Sequence, residues 1–66
     1  MKIFINHCEK QAEEGATVLD VLAREGLAGE GVAVAVDNKV LPRAGWGDVK
    51  LAEGMRLTVI RAVCGG

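Results

Sequence analysis

The ten residues TVLDVLAREG, at positions 17–26, decide the fold because they form the clearest helical pattern in the chain. The Thr17 hydroxyl can accept a hydrogen bond from a free amide of the first turn, and Asp20 places negative charge at the positive helix end. Gly26 supplies the left-handed residue that ends many helices. The apolar side chains form one stripe at helical spacing: Val18, Val21 and Leu22. The segment therefore predicts a short helix over about residues 18–25 with one buried face.

Short strand patterns surround this helix on both sides. Alternating or β-branched residues identify five strand segments: residues 2–6, 8–11, 32–36, 39–41 and 56–63. Asp37-Asn38 predicts a tight turn between the third and fourth strands. Pro42 ends the fourth strand because proline cannot donate to a sheet ladder. An irregular connection over residues 43–50, which includes Trp46, precedes the last strand.

The predicted element order is β-β-α-β-β-β, in a single domain over residues 1–66. One short helix can cover only one face of a mixed sheet, and a helical crossover favours parallel pairing of the first and last strands. These features predict an α+β protein of the β-grasp, or ubiquitin-like, architecture. Residues 62–66 are expected to form a flexible C-terminal tail, because they end in glycine.

The composition excludes several classes of function. The net charge of −1 argues against nucleic acid or an anionic membrane as the main partner, because both favour a strongly basic face. No apolar run approaches the length that crosses a bilayer. The chain has no serine and no tyrosine, so it cannot build a serine triad. Because the chain has only Cys8 and Cys64 and no export signal, we expect a cytoplasmic protein. We also expect the protein to be a monomer when it is free.

The last two residues, Gly65 and Gly66, are the strongest indication of function in the sequence. A Gly-Gly end has no side chains and can therefore enter a narrow channel in another enzyme and present its carboxylate there. An extended tail from Ala62 to Gly66 spans roughly 16 Å, at about 3.3 Å per residue. A glycine-rich end that has no function is the alternative.

Four segments of the chain form a recognisable set: residues 36–43, Pro42-Arg43-Ala44-Gly45-Trp46, Glu53-Gly54 and the terminal residues 60–66. Together they resemble the ThiS family, the sulfur carrier proteins of thiamin biosynthesis. The resemblance covers essentially the whole chain, and the Pro-Arg-x-x-Trp segment is its most specific part. Cys64 stands where the family more often has glycine or alanine, and Met55 stands where an acidic residue is common.

The resemblance implies a protein cosubstrate, not an enzyme. In this family an E1-like adenylyltransferase (ThiF-like) uses ATP and Mg²⁺ to join AMP to the terminal carboxylate, which here is that of Gly66. A persulfide sulfur donor then displaces AMP, and the resulting thiocarboxylate gives its sulfur to a thiazole synthase (ThiG-like). Gly65 provides steric clearance beside the reacting carbonyl. No cofactor or metal is expected on the chain itself.

We also predict a partner-binding face on the side of the sheet that the helix cannot cover. Alternation along the strands places four residues on this face: Phe4, Ala35, Ile60 and Ala62. Cys64, in the tail, is the fifth residue that we expect to contact a partner. The alternative is that the connection over residues 43–50 covers Phe4 and Ile60, so that they serve stability only. Trp46 either contacts a partner or covers the edge of the core. Arg43 either orients a partner carboxylate or the AMP phosphate, or is a solvated charge of the loop.

Two further functions stay open from the sequence. The chain could serve another sulfur-transfer pathway, such as molybdopterin, cysteine or methionine synthesis. It could also be a ubiquitin-like modifier that joins its Gly66 carboxylate to a lysine amine. Cys64 is either a spacer or a thiol that takes part in sulfur handling.

Overall fold

A computed structural model describes residues 1–61 of the chain. The strands are β1 (Lys2–Ile5), β2 (Cys8–Gln11), β3 (Val32–Val36), β4 (Lys39–Leu41) and β5 (Arg56–Arg61). The helix α1 comprises Val18–Arg24, and a 3₁₀ turn comprises Arg43–Gly45. The observed order of elements is the predicted one. The predicted end of the last strand and the predicted tail over residues 62–66 lie outside the described residues.

The five strands form one mixed sheet in the order β2-β1-β5-β3-β4. β1 and β5 are parallel, whereas the other neighbouring pairs are antiparallel. This arrangement confirms the predicted parallel pairing of the first and last strands and the β-grasp architecture. The strand that leads to the C-terminus therefore lies at the centre of the sheet, with two strands on each side.

The helix α1 begins at the predicted cap. The amide of Asp20 donates to Thr17 Oγ1 at 3.2 Å, and the amide of Thr17 donates to Asp20 Oδ2 at 2.9 Å. The two residues thus satisfy each other's free amide in a capping box. At the other end Gly26 has φ +74°, the left-handed conformation that the sequence predicts for it.

A two-residue turn joins the two strands of each hairpin, β1 with β2 and β3 with β4. Asn6 and His7 have φ values of 50° and 70°, and Asp37 and Asn38 have φ values of 49° and 70°. Positive φ at both central residues is typical of type I′ turns, whose twist matches that of the flanking strands. The sequence-based strand included Asn6, but β1 ends at Ile5 because Asn6 adopts this left-handed conformation.

The core lies between α1 and one face of the sheet. It contains the predicted strand residues Ile3, Ile5, Leu57 and Val59 and the three predicted residues of the helix. One of the two interpretations of Trp46, a place at the core edge, is confirmed, whereas the sequence did not assign the remaining members to the core: Ala12, Val34 and Leu51. No side-chain nitrogen or oxygen buried within residues 1–61 is left without a hydrogen-bond partner.

The connection after β4 closes the edge of this core. Trp46 is only 1% exposed, and its Nε1 donates to the carbonyl of Leu41 at 3.0 Å. The Arg43 guanidinium lies 4.5 Å from the Trp46 ring centroid and donates to the carbonyls of Ala28 and Gly29. Arg43 and Trp46 therefore have structural roles in the described part of the chain, and the Pro-Arg-x-x-Trp segment is a local packing unit.

Candidate functional site

The uncovered side of the sheet is the candidate site. The strand register places six small or apolar residues on it, and we call them the open face: Phe4, Ala33, Ala35, Val40, Thr58 and Ile60. Most of their neighbours along the strands point towards the core, because successive side chains alternate between the two faces of a sheet. Lys39 and Arg61, at the strand ends, are exposed. The connection over residues 43–50 lies on the helix side, where its backbone accepts hydrogen bonds from the amides of Val18 and Leu19.

The open face is accessible, and it is apolar around Ala33, Ala35, Val40 and Ile60. Beside Phe4 the same side of the sheet carries charged residues: Lys2, Glu9 and Arg56. Ile60 is 63% exposed and Val40 is 78% exposed, whereas Phe4 and Ala35 are half-buried. The structure thus brings together three of the residues predicted for this face: Phe4, Ala35 and Ile60. The other two, Ala62 and Cys64, lie outside the described residues, as do Gly65 and Gly66.

Two residues of the open face, Val40 and Ala33, were not predicted from the sequence. Val40 pairs with Ala35 across the β3–β4 hairpin, and Ala33 pairs with Ile60 across β3 and β5. A two-residue turn at Asp37-Asn38 fixes this hairpin register, so Val40 could have been placed beside Ala35 from the sequence. The missed residues extend the open face to the β4 edge of the sheet.

The shape of the open face follows from the sizes of its side chains. The small residues Ala33 and Ala35 lie on β3, between Ile60 on β5 and Val40 on β4. Two large exposed side chains therefore flank a row with little side-chain volume. Small residues between large ones leave room for an apolar side chain of a partner, and buried anchors of this kind contribute most of the affinity of an interface.

A more polar hollow of about 650 Å³ adjoins the open face at its Phe4 and Thr58 end. Arg56 and Asp37 both line this hollow and have opposite charges. Because these charges oppose each other, the hollow does not favour a ligand of one sign. The apolar part of the open face is therefore the better candidate for contact with a partner protein.

Two contacts hold the end of β5, from which the chain continues to Gly66. The side chain of Asn6 forms hydrogen bonds to both the amide and the carbonyl of Val59. Arg61 Nη2 donates to the carbonyl of Gly26, just past α1, at 3.2 Å. This bond satisfies a carbonyl at the helix end, where backbone acceptors lack partners within the helix. The end of β5 is thus tied to the turn between β1 and β2 and to the helix end.

The ion pairs of residues 1–61 lie on the helix side of the molecule, at Glu25. Lys10 Nζ is 3.3 Å from a carboxylate oxygen of Glu25. The hydrogen bond from Lys10, assisted by its charge and by Arg24, holds the pKa of Glu25 below its usual value of 4.5. In residues 1–61, no three potential metal ligands lie close enough together to hold an ion. No helix in the same range is both long and apolar enough to cross a membrane.

The fold and this face define the class of the molecule: a ubiquitin-like β-grasp domain whose central strand leads to a C-terminal Gly-Gly. The sequence matches the ThiS family over residues 3–66, and the chain belongs to that family. This membership supports a sulfur carrier in thiamine biosynthesis.

A solved structure has the same fold. It is the crystal structure of a thiamine biosynthesis protein (ThiS) from Geobacter metallireducens, which aligns over 100% of both chains with a TM-score of 0.80. The two sequences are 23% identical, so the likeness concerns the architecture. No curated protein has a significantly similar sequence.

Proposed function

We propose that this protein carries sulfur as a thiocarboxylate on Gly66 and donates it to thiazole synthesis. The observation that supports this proposal most is the position of β5. It is the central strand, it presents the exposed Ile60 on the open face, and its last described residue, Arg61, is five residues before the terminal glycine. An enzyme that docks on the open face therefore binds beside the start of the reactive tail.

The chemistry of the terminal carboxylate requires partners. A carboxylate is a poor electrophile, so an E1-like adenylyltransferase first transfers AMP from ATP to it, with Mg²⁺, and releases pyrophosphate. A persulfide then attacks the carbonyl carbon and expels AMP, and a thiol cleaves the resulting acyl disulfide. These steps leave a thiocarboxylate on Gly66, with Gly65 as the unhindered residue beside it.

Both partner enzymes are proposed to use the open face. Ile60 and Val40 are the large exposed side chains there, and contiguous apolar surface of this kind marks binding sites in soluble proteins. Because the two enzymes would cover the same residues, they would compete for the carrier. The carrier would then leave the activating enzyme before it meets the thiazole synthase.

Deletion of Gly66 tests this proposal. The deletion moves the reacting carbonyl back by about 3.5 Å, a displacement that a near-attack geometry does not tolerate. We expect the truncated protein to fold and to lose pyrophosphate exchange with its cognate activating enzyme. Because its open face is intact, it should still inhibit the adenylation of the unmodified protein competitively.

Pyrophosphate exchange at the normal rate with the truncated protein would contradict the carrier function. Adenylation is common to the alternatives, so the later product on Gly66 distinguishes them. Transfer of the activated carboxylate to a lysine amine would indicate a protein modifier, and sulfur transfer to an acceptor other than thiazole synthase would indicate a different pathway.

A further inference from the structure

The two sides of β5 are held differently. On the β3 side, pairing continues from Leu57, opposite Val36, to Arg61, opposite Val32. On the β1 side, strand pairing comprises only two positions, Phe4 with Arg56 and Ile5 with Leu57. Because β1 ends at Ile5, no strand within residues 1–61 lies beside the second half of β5 on that side.

The side chain of Asn6 takes the place of the missing strand. Its Oδ1 accepts a hydrogen bond from the amide of Val59 at 2.8 Å, and its Nδ2 donates to the carbonyl of Val59 at 3.1 Å. The side-chain amide therefore bonds both backbone groups of one residue, as a neighbouring strand would. The main-chain amide of Asn6 still donates to the carbonyl of Leu57 at 2.9 Å. Beyond that bond, the left-handed φ of 50° at Asn6 turns the main chain towards β2 and leaves the side chain against β5.

We propose that Asn6 is a positioning residue for the C-terminal tail. It fixes β5 at Val59, seven residues before the reactive Gly66, and so limits the directions in which the chain leaves the sheet. This inference rests on the function proposed above. It assigns to a turn residue at the far end of the sequence an influence on the reaction of the terminal carboxylate.

The expected effect follows from the geometry. Without the Asn6 side chain, the end of β5 is paired on the β3 side alone, and the backbone amide and carbonyl of Val59 lose their hydrogen-bond partners. Reaction at a carboxylate is sensitive to displacements of about 1 Å, whereas docking depends on the open face, which Asn6 does not form. The turnover number should therefore fall while the affinity for the activating enzyme is retained.

The test compares Asn6→Gly with Asp37→Gly in adenylation by the cognate activating enzyme. Both residues are the first central residue of a two-residue turn, with φ values of 50° and 49°, so glycine suits both turns equally. No hydrogen bond from the Asp37 side chain occurs among the described residues. We expect kcat to fall about 10-fold for Asn6→Gly, with KM and binding without ATP unchanged, and to stay the same for Asp37→Gly.

Two further measurements separate positioning from a general loss of stability. Hydrogen exchange of the Val59 amide should accelerate in Asn6→Gly but not in Asp37→Gly. Asn6→Asp keeps an acceptor for the Val59 amide but loses the donor to its carbonyl, so its kcat should lie between those of the unmodified protein and Asn6→Gly.

An unchanged kcat for Asn6→Gly, an equal fall in Asp37→Gly, or a rise in KM alone would overturn the role of Asn6. In each of these cases the unmodified protein still reacts, so the proposed function stands. If the unmodified protein itself is not adenylated, the proposed function fails, and the inference about Asn6 fails with it.

Discussion

Ile60 and Trp46 show how position decides the role of a large apolar residue. Ile60 lies on the central strand and yet is 63% exposed, because it points to the face without a helix. Trp46 lies in an irregular connection and yet is 1% exposed, because that connection runs beside the helix. Hydrophobicity alone does not separate the two residues, whereas the register of the sheet does.

Ile60→Arg should weaken binding to both partner enzymes by about 1–3 kcal/mol, because it places a charge at the proposed anchor of the interface. The melting temperature should change little, since the side chain already points to solvent. Leu19→Arg is the matched control, because Leu19 is 41% exposed but lies on the helix. A large fall in melting temperature for Ile60→Arg, or equal affinities for both variants, would contradict the docking role of the open face.

Trp46→Phe should lower the free energy of unfolding by about 1–3 kcal/mol, because the carbonyl of Leu41 loses its donor inside a partly buried site. The smaller ring also leaves space in the core and weakens the contact with Arg43. Urea unfolding followed by circular dichroism measures this change. Retention of the full stability would show that the Trp46 hydrogen bond and ring contribute little to the fold.

At the scale of elements, the helix is the part that the sequence describes best. Its cap, its buried stripe and its left-handed end all depend on contacts within a few residues, so local patterns predict them.

Thr17→Ala should destabilise the protein by about 1 kcal/mol, because it removes the acceptor for the Asp20 amide. Thr17→Ser keeps the hydroxyl and should cost much less. Equal stabilities of the two variants in urea unfolding would refute the contribution of the cap.

The sequence predicts the strands and the parallel pairing of β1 with β5, but not every contact between them. Asn6 bonds Val59 across 53 residues, and no local pattern reveals a side chain that substitutes for a strand. Val40 is a different case, because the hairpin turn fixes its register and could have placed it on the open face. The burial of Trp46 depends on the path of an irregular connection, which periodicity does not describe.

At the scale of the whole molecule, the five strands of residues 1–61 form the sheet, and the single α-helix of that range covers one of its two faces. The other face is the open face. The covered face accounts for the core in residues 1–61, and the open face stays available for partners. Because the central strand leads to the terminal glycines, a partner docked on the open face lies beside the start of the tail. The proposed carrier function thus follows from the division of the sheet, the position of β5 and the membership in the ThiS family.

The intact mass of the protein tests this account most directly. The purified chain is incubated with its activating enzyme, ATP, Mg²⁺, a persulfide donor and a thiol, and its mass is then measured and the modified residue located by fragmentation. The account predicts a gain equal to the replacement of one oxygen by sulfur, located on Gly66. An unchanged mass while AMP is produced, or attachment of Gly66 to a lysine of another protein, would contradict it.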